Sequence, residues 1–162
     1  MHFILPGLEA RPLGDREGLG VFATRPFAAG TLLVVWGGAL MTTAALRAIP
    51  GPPLYAIQVE DDLHLVTLPE HVGIADYVNH GCDPNCVLVG QVSLFSARAI
   101  LPGEEIRYDY ATSDADTFEP MRCTCRSPNC RGWIRDDDWR LPELQRRYDG
   151  HFSPYIARRL KR

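Results

Sequence analysis

Lysine is almost absent from this chain of 162 residues, although basic side chains are not. Of the 17 basic residues, only Lys161 is a lysine and the others are arginine. Long apolar runs are also missing, since no stretch approaches the roughly 18 apolar residues that a membrane-spanning helix requires. The first residues, MHFILPGLEARP, lack the basic segment that opens a secretory signal peptide. The sequence therefore predicts neither a membrane span nor secretion, and we expect a reducing, cytoplasmic setting.

Charge and length limit the function classes further. The net charge of −3 and the isoelectric point near 5.9 argue against broad nucleic-acid binding, which uses a basic face to neutralise phosphates. A hydrophobic content of 46% and a charged content of 23% are ordinary for a globular protein. A chain of this length is expected to form one domain around one core.

The stretch YVNHGCDPNC, over residues 77–86, concentrates residue types that have position-specific roles. Asn79 and His80 offer amide and imidazole hydrogen-bonding groups. Gly81 lets the backbone turn without a Cβ, and Pro84 fixes φ and ends regular pairing. We expect this stretch to be rigid and polar, and to form neither a helix nor a central strand.

Four of the five cysteines have the spacing of metal ligands. Cys123, Cys125 and Cys130 form a C-x-C-x4-C cluster, which is one thiol short of a tetrahedral site, and Cys82 is the candidate fourth ligand. Because cytosolic thiols are kept reduced, this spacing favours a metal over disulfides. Redox-active or merely buried cysteines are the alternative. Cys86 is interpreted as a small buried hydrophobic residue.

Local patterns predict short strands, tight turns and little helix. The predicted elements are strands over 7–38, a helix over 41–49 capped by Thr42 or Thr43, a β-hairpin over 54–66, an irregular segment over 67–76, a strand pair over 87–100, a strand over 106–110, a loop over 111–120, and two short helices beyond Arg135 that are split by Asp149-Gly150 and Pro154.

Four motifs occur in an order and spacing that resemble a known family. They are GLG at residues 18–20, NHGCDPN at 79–85, GEEIRYDY at 103–110 and CTCRSPNC at 123–130. The first motif by itself would indicate only a hairpin turn. Together they resemble the SET-domain protein-lysine methyltransferases that carry a post-SET zinc motif, and the resemblance runs from about Glu17 to Trp133.

The resemblance implies a fold class. We expect a mainly β SET domain, β-clip-like, with several short sheets and a knot-like threaded C-terminal segment, together with a small four-cysteine zinc region and short C-terminal helices. The corresponding ranges are 7–119 for the SET domain, 120–135 for the post-SET motif and 136–162 for a helical tail. The tail is interpreted as packed on the domain, with docking of an acidic partner as the alternative.

S-adenosylmethionine is the cofactor that the resemblance implies. Glycines at positions 18 and 20 would remove side chains where a loop approaches this ligand. One departure is Asp76, where many members of the family carry a basic residue. The implied cofactor-binding residues are Gly18, Leu19, Gly20, Asn79, His80, Tyr110 and Trp133.

Three tyrosines are implied in the reaction. Tyr110 matches the tyrosine that aligns a lysine amine for SN2 attack on a sulfonium methyl group, and a role as general base is left open. Tyr108 stands where the family has either phenylalanine or tyrosine, and its hydroxyl predicts mono- or dimethylation. Tyr55 matches a tyrosine lining the lysine channel, although a half-buried strand tyrosine also suits a core. Glu104 and Glu105 are assigned no catalytic role.

The partners implied are a zinc ion and a lysine in a protein or peptide. The zinc would be structural, held by Cys82, Cys123, Cys125 and Cys130 in a closed site. The substrate would be a histone or another protein, so that action in a nucleus or a host nucleus is compatible with the sequence. Direct nucleic-acid or membrane binding is not expected. Two rivals are a non-catalytic SET-type binding module stabilised by zinc and an interaction protein that uses its basic tail.

Overall fold

A computed structural model gives the fold over residues 1–14, 18–51, 55–115 and 119–161. The predicted first residue of the hairpin, Leu54, the start of the resemblance at Glu17 and the middle of the loop predicted over 111–120 lie outside these ranges. The strands are β1 Phe3–Ile4, β2 Leu8–Pro12, β3 Leu19–Ala23, β4 Leu32–Val35, β5 Ala39–Met41, β6 Ala56–Glu60, β7 Leu63–Val66, β8 Asn79–His80, β9 Cys86–Val89, β10 Ser93–Ser96, β11 Arg107–Tyr108, β12 Met121–Arg122 and β13 Trp133–Ile134. The α-helices are α1 Thr43–Arg47, α2 Pro142–Arg147 and α3 Pro154–Arg159, and 3₁₀ turns lie at Pro69–His71, Ile74–Tyr77, Tyr110–Thr112 and Asp138–Arg140.

The strands of this part of the chain form several small sheets. An antiparallel four-stranded sheet has the order β1-β4-β10-β9, and a three-stranded sheet has the order β5-β7-β6. The pairs β2-β3 and β12-β13 are antiparallel hairpin-like sheets, whereas β8 and β11 pair in parallel. This mainly β architecture with short helices confirms the predicted fold class. In the described ranges, no helix has the length and apolar character needed to cross a bilayer.

The predicted hairpins and the first helix are present. β6 and β7 form the hairpin that turns at Asp61-Asp62, and β9 and β10 form the strand pair around Gly90. Gly90 has a φ of 67°, a left-handed conformation that glycine adopts without strain. α1 begins after Thr42, whose hydroxyl accepts a hydrogen bond from the backbone N–H of Ala45.

Two predicted elements differ from the structure. The strand predicted over 106–110 ends at Tyr108, because the Asp109 carboxylate accepts a hydrogen bond from Ala111 N at 3.1 Å and caps a 3₁₀ turn. The segment predicted to be irregular over 67–76 contains two 3₁₀ turns. The two short helices predicted beyond Arg135 are present as α2 and α3, and Pro154 stands at the start of α3, where a residue without an N–H suits the first helical position.

Two groups of buried side chains hold the sheets and the tail. The central core lies between the small sheets, and its most deeply buried members are Val21, Leu33, Val34, Leu88, Leu94, Ile100 and Ile106. The second cluster joins the tail to Ala111 and Ala115, just after the GEEIRYDY motif, and its larger members are Trp139, Leu144, Tyr148, Phe152, Tyr155 and Ile156. The tail is therefore packed against the segment that follows Tyr110.

The basic end of the tail pairs with the tip of the β6–β7 hairpin. The Tyr155 hydroxyl donates to Asp61 Oδ1 at 3.0 Å, and Arg159 lies 3.4 Å from the same oxygen. Arg158 forms an exposed ion pair with Glu60. These contacts favour the interpretation of the tail as a packed element of the domain.

Candidate active site

Parallel pairing of β8 with β11 brings two of the motifs side by side. Asn79 is opposite Arg107, His80 is opposite Tyr108, and Gly81 N donates to Tyr108 O at 3.0 Å. A Cβ on Gly81 would lie 3.1 Å from Arg107 Cβ, so the close approach of the two strands favours glycine at this position. The pairing places the residues of NHGCDPN directly beside the end of GEEIRYDY.

Asn79 connects the GLG loop to the paired strands β8 and β11 by hydrogen bonds. The side-chain amide of Asn79 donates to Leu19 O at 2.8 Å and to Glu105 Oε1 at 2.9 Å. A Cβ on Gly20 would lie 2.6 Å from the same Glu105 oxygen, and Gly18 has a φ of 96°. The backbone conformation therefore favours glycine at position 18, and the packed Glu105 side chain favours glycine at position 20.

Glu105 is a site residue that the sequence reasoning missed. Its side chain is 5% exposed, and Oε2 lies 3.3 Å from Arg107 Nε. A cavity of about 520 Å³ opens beside it, lined also by Phe22, Asn85 and Arg98. An acidic pair at a turn is usually solvated, and no local signal in the sequence distinguishes Glu105 from the more exposed Glu104.

The side chain of His80 faces the cysteines. His80 Nε2 lies 3.2 Å from Cys82 Sγ, and Tyr110 N donates to His80 Nδ1 at 3.3 Å. Burial lowers the pKa of His80 to about 4, so that the ring is neutral at physiological pH. With Nδ1 accepting, the proton is on Nε2 and is donated to the Cys82 sulfur.

Four cysteines predicted to bind a metal converge on one point. Their sulfur atoms lie within 4.8 Å of one another, and those of Cys82 and Cys123 are 3.7 Å apart. Zn–S bonds of about 2.3 Å in a tetrahedron place sulfurs roughly 3.8 Å apart. The cluster consists of Cys82, Cys123, Cys125 and Cys130.

Backbone N–H groups donate hydrogen bonds to sulfur atoms of the cluster, an arrangement that stabilises thiolates. Arg131 N donates to Cys82 Sγ at 3.4 Å, and Gly132 N donates to Cys130 Sγ at 3.4 Å. An all-sulfur tetrahedral set favours zinc over harder cations. Cys86 is separate from this group, and burial raises the pKa of its thiol to about 12, consistent with a small buried hydrophobic residue.

Asp109 connects the cysteine cluster to Tyr110 and was not predicted. It is 1% exposed and accepts hydrogen bonds from both terminal nitrogens of Arg131, at 2.7 and 2.8 Å. The Tyr148 hydroxyl donates to it at 3.1 Å, and His80 Nδ1 lies 3.5 Å from it. The sequence gives no partner for this carboxylate, because its partners are separated from it by 22 to 39 residues.

The three predicted tyrosines line a second cavity of about 750 Å³. Tyr108 packs with its ring centroid 5.1 Å from that of Tyr110 and 5.4 Å from that of Trp36. Tyr55 is 42% exposed and packs edge-on against Tyr77 at 5.7 Å. The cavity therefore has aromatic walls, with Tyr55 on the exposed side.

Hydrogen bonds fix the two inner hydroxyl groups. The Tyr110 hydroxyl donates to Val78 O at 3.2 Å, and the Tyr108 hydroxyl lies 3.3 Å from Ser113 Oγ. Burial and the nearby charge of Asp114 raise the pKa of both phenols above the usual value near 10. Tyr110 is therefore neutral, and since its proton is given to Val78 its oxygen can only accept from a molecule in the cavity.

Asp114 is a further lining residue that the sequence reasoning missed. Gln58 N donates to Asp114 Oδ1 at 3.1 Å, and Ser113 Oγ donates to Oδ2. Burial raises the pKa of Asp114 to about 6. The residue falls in a stretch predicted to be an acidic loop, and only the folded chain places it in the cavity wall.

Trp133 lies in β13 and is not a lining residue of either of these two cavities. It is 38% exposed, and the Arg122 guanidinium stands 5.0 Å from its ring centroid. The structure thus brings Asn79 to the GLG loop and the tyrosines to a common cavity, while it directs the His80 side chain to the cysteines and leaves the Trp133 ring on the surface.

Comparison with known proteins gives one family. The SET domain family model matches residues 18–111, more than half of the chain. Histone-lysine N-methyltransferase ash1 of Drosophila melanogaster is 31% identical over 159 residues, covering 88% of this chain and 7% of the relative. Histone-lysine N-methyltransferase trr of the same organism is 29% identical over 131 residues, covering 73% of this chain and 5% of the relative. A probable histone-lysine N-methyltransferase, set-23 of Caenorhabditis briggsae, is 36% identical over 98 residues, covering 46% of this chain and 41% of the relative. The chain thus spans less than half the length of each of these relatives.

Proposed function

The chain belongs to the SET domain family, and we propose that it transfers a methyl group from S-adenosylmethionine to a lysine side chain of a protein. The observation that carries the proposal is the parallel pairing of β8 with β11, which joins the Asn79–GLG contact to the cavity containing Tyr110. The relatives are named histone-lysine N-methyltransferases, which supports the same reaction class.

The residues around Asn79 fit the implied cofactor. Gly18 has open space where a side chain would stand, and the Glu105 carboxylate lies against the neighbouring Gly20. S-adenosylmethionine supplies, when bound, a methyl group on a positively charged sulfur. Negative charge and backbone groups at this position would favour binding of its cationic centres.

The tyrosine cavity fits the lysine side chain. Its aromatic walls suit the four-methylene stem, and the Tyr110 oxygen accepts a hydrogen bond from the amine. Methyl transfer is an in-line displacement that requires a neutral amine, correctly aligned. An apolar cavity lowers the lysine pKa from its usual value of about 10.4, which makes the neutral amine easier to form.

Tyr110 acts as a positioning hydroxyl in this proposal. A phenol with a raised pKa is a poor general base at neutral pH, because the phenolate form is scarce. Its fixed hydrogen bond to Val78 instead orients the oxygen before the substrate arrives. The Tyr108 hydroxyl occupies space beside it, which supports a product with one or two methyl groups.

Zinc would stabilise the site without taking part in the reaction. Four sulfur ligands close a tetrahedral site and leave no position for a substrate. His80 donates to one ligand, Cys82, and its backbone pairs with the strand ending at Tyr108. Metal binding would in this way fix the orientation of the residues leading to Tyr110.

The test is methyl transfer from labelled S-adenosylmethionine to a panel of histones and lysine peptides, with zinc-loaded protein. Tyr110→Phe removes only the hydroxyl and should lower transfer by about 10²-fold. Cofactor affinity, measured by calorimetry, should stay within a few-fold. Cofactor binding without transfer to any of a proteome-wide set of lysine proteins would favour a non-catalytic binding module. Gel electrophoresis of the reaction shows which protein carries the labelled methyl group and so distinguishes histone from non-histone targets.

A further inference from the structure

Asp114 has no role in the proposed reaction, although it lines the tyrosine cavity. Its carboxylate is held by Gln58 N and by the Ser113 hydroxyl. Gln58 is itself fixed, because its side-chain oxygen accepts from Ala115 N at 2.8 Å. Hydrogen bonds thus hold the carboxylate in the cavity wall on both oxygens, while each oxygen retains a further lone pair.

The cavity needs a group that can take a proton. A lysine enters as the ammonium form at neutral pH, and it must lose one proton before it can attack. The two inner phenols are neutral, with the Tyr110 hydroxyl donating to Val78 O and the Tyr108 hydroxyl hydrogen-bonded to Ser113 Oγ, so neither is prepared to act as a base.

The other ionisable side chains that line the cavity are already engaged or carry the wrong charge. Asp76 lies 3.1 Å from His2 and Asp61 lies 3.4 Å from Arg159, so each of these two carboxylates has a basic side chain as its partner. His64 Nε2 lies 3.0 Å from the Thr43 hydroxyl, on the side of α1, and Arg47 is a cation. The ionisable lining residues are Arg47, Tyr55, Asp61, His64, Asp76, Tyr108, Tyr110 and Asp114.

We propose that Asp114 accepts the proton that the substrate ammonium loses, an inference that rests on the proposed methyltransferase function. One N–H bond of the ammonium breaks and one O–H bond forms on Asp114, which gives a neutral amine and a neutral carboxylic acid. The amine lone pair then forms the N–C bond while the sulfur–carbon bond breaks and its electron pair stays on sulfur. Asp114 returns its proton to water when the product leaves.

Burial makes this transfer easier than it is in water. Removal of the carboxylate and the ammonium from solvent raises the pKa of the acid and lowers that of the amine. The free energy of the neutral pair therefore falls relative to that of the ion pair. In the free protein, burial already raises the pKa of Asp114 to about 6. Entry of a lysine stem into the cavity removes further water and shifts both groups in the same directions.

Asp114→Asn is the test, because the amide keeps the size of the side chain and cannot take the proton. We expect kcat/KM of the wild type to rise through a pH of about 6 and then stay level to about pH 9. In the variant only the small fraction of neutral lysine reacts, so kcat/KM should rise by about tenfold per pH unit over the same range. At pH 7 the variant should be at least about 10²-fold slower.

Two controls separate proton transfer from a structural role. Asp61→Asn removes another carboxylate of the cavity lining. In this variant kcat/KM should still be level between about pH 6 and pH 9, even if KM itself changes. A peptide with thialysine, whose amine is less basic than that of lysine, should lose less activity in Asp114→Asn than the lysine peptide loses. Cofactor affinity and zinc content should match the wild type.

The outcomes distinguish the two proposals. A wild-type protein that transfers no methyl group overturns the proposed function and this inference with it. An active wild type whose pH profile is shared by Asp114→Asn overturns only the role of Asp114. If Asp114→Asn loses the same factor of activity with the lysine and thialysine peptides, the role of Asp114 as proton acceptor is also overturned, since a structural defect does not depend on the basicity of the amine.

Discussion

The Asp109 carboxylate accepts two hydrogen bonds from the Arg131 guanidinium, at 2.7 and 2.8 Å. Asp109 precedes the candidate catalytic Tyr110, and Arg131 follows the metal-ligand candidate Cys130. Such a fork fixes the two groups in one orientation more firmly than a single contact does. The pair therefore ties the cysteine cluster directly to the backbone of the active site.

Breaking this pair is expected to destabilise the protein strongly. Asp109→Asn removes one of the two carboxylates that pair with the partly buried Arg131 in the described part of the chain, and loss of one partner of a buried pair costs about 3–5 kcal/mol. Urea denaturation measures the change. The matched control is Asp83→Asn, which breaks a much more exposed pair with Arg147 and should cost less than about 1 kcal/mol. Equal effects would contradict a structural role specific to Asp109.

Metal content is expected to follow the four clustered cysteines. Cys130→Ser should abolish stoichiometric zinc, whereas Cys86→Ala should keep about one zinc ion per chain. Elemental analysis of purified protein measures both. Chelation of the wild type should lower the melting temperature and methyl transfer together, because the cluster holds the segment leading to Tyr110 through Cys82 and His80. Full zinc retention in Cys130→Ser would contradict the proposed ligand set.

The Tyr108 hydroxyl is expected to limit the number of methyl groups. Tyr108→Phe removes the oxygen beside Tyr110 and leaves room for a larger amine, so products should shift toward higher methylation. Mass spectrometry of a peptide substrate over time measures the distribution. Tyr55→Phe is the control, since that ring lies on the exposed side of the cavity and its change should leave the distribution in place. An unchanged distribution in Tyr108→Phe rejects the idea.

Asp114→Asn is expected to stabilise the fold at neutral pH. The pKa of Asp114 is about 6 in the folded protein against 3.8 for a free carboxyl, so folding disfavours the charged form. The unfavourable effect of this carboxylate on stability is small at pH 4, where the group is protonated in the folded protein and about half ionised in the unfolded chain, and it reaches its full size above about pH 6. Because cavity water reduces the penalty, we expect a gain of about 1–2 kcal/mol at pH 8. Thermal melts at pH 4 and pH 8 measure this, and a gain that is equal at both pH values would count against a buried charge.

Packing of the tail, more than its charge, is expected to support the active site. Ile156 is fully buried against the segment after Tyr110, and Ile156→Ala should cost about 2–5 kcal/mol and lower methyl transfer. Arg158→Ala breaks only an exposed pair with Glu60 and should cost less than about 1 kcal/mol. Chemical denaturation and activity are measured side by side. A tail that serves only to bind a partner would leave methyl transfer intact in both variants.

The sequence predicts what depends on local pattern. The β6–β7 and β9–β10 hairpins follow from period-two alternation with turn residues, and α1 follows from the cap at Thr42. The convergence of four cysteines follows from ligand spacing together with the family resemblance.

Long-range partners were not predictable in the same way. Asp109 and Glu105 resemble ordinary acidic residues because Arg131 and Asn79, which bind them, are distant in sequence, and Asp114 falls in a predicted loop. The direction of the His80 ring depends on Tyr110 N and Cys82, which come together only through the parallel pairing of β8 and β11. Such contacts are set by topology, which a hydrophobic pattern does not specify.

The parallel pairing of β8 with β11 has a consequence for biosynthesis. Asn79 cannot pair with Arg107 until the chain has emerged beyond Tyr108, and the Ala111–Ala115 segment is not packed until α3 has also left the ribosome. Contacts between residues so far apart in sequence form late and slowly. A nascent chain that stalls before α3 would therefore lack the packing that holds the segment after Tyr110.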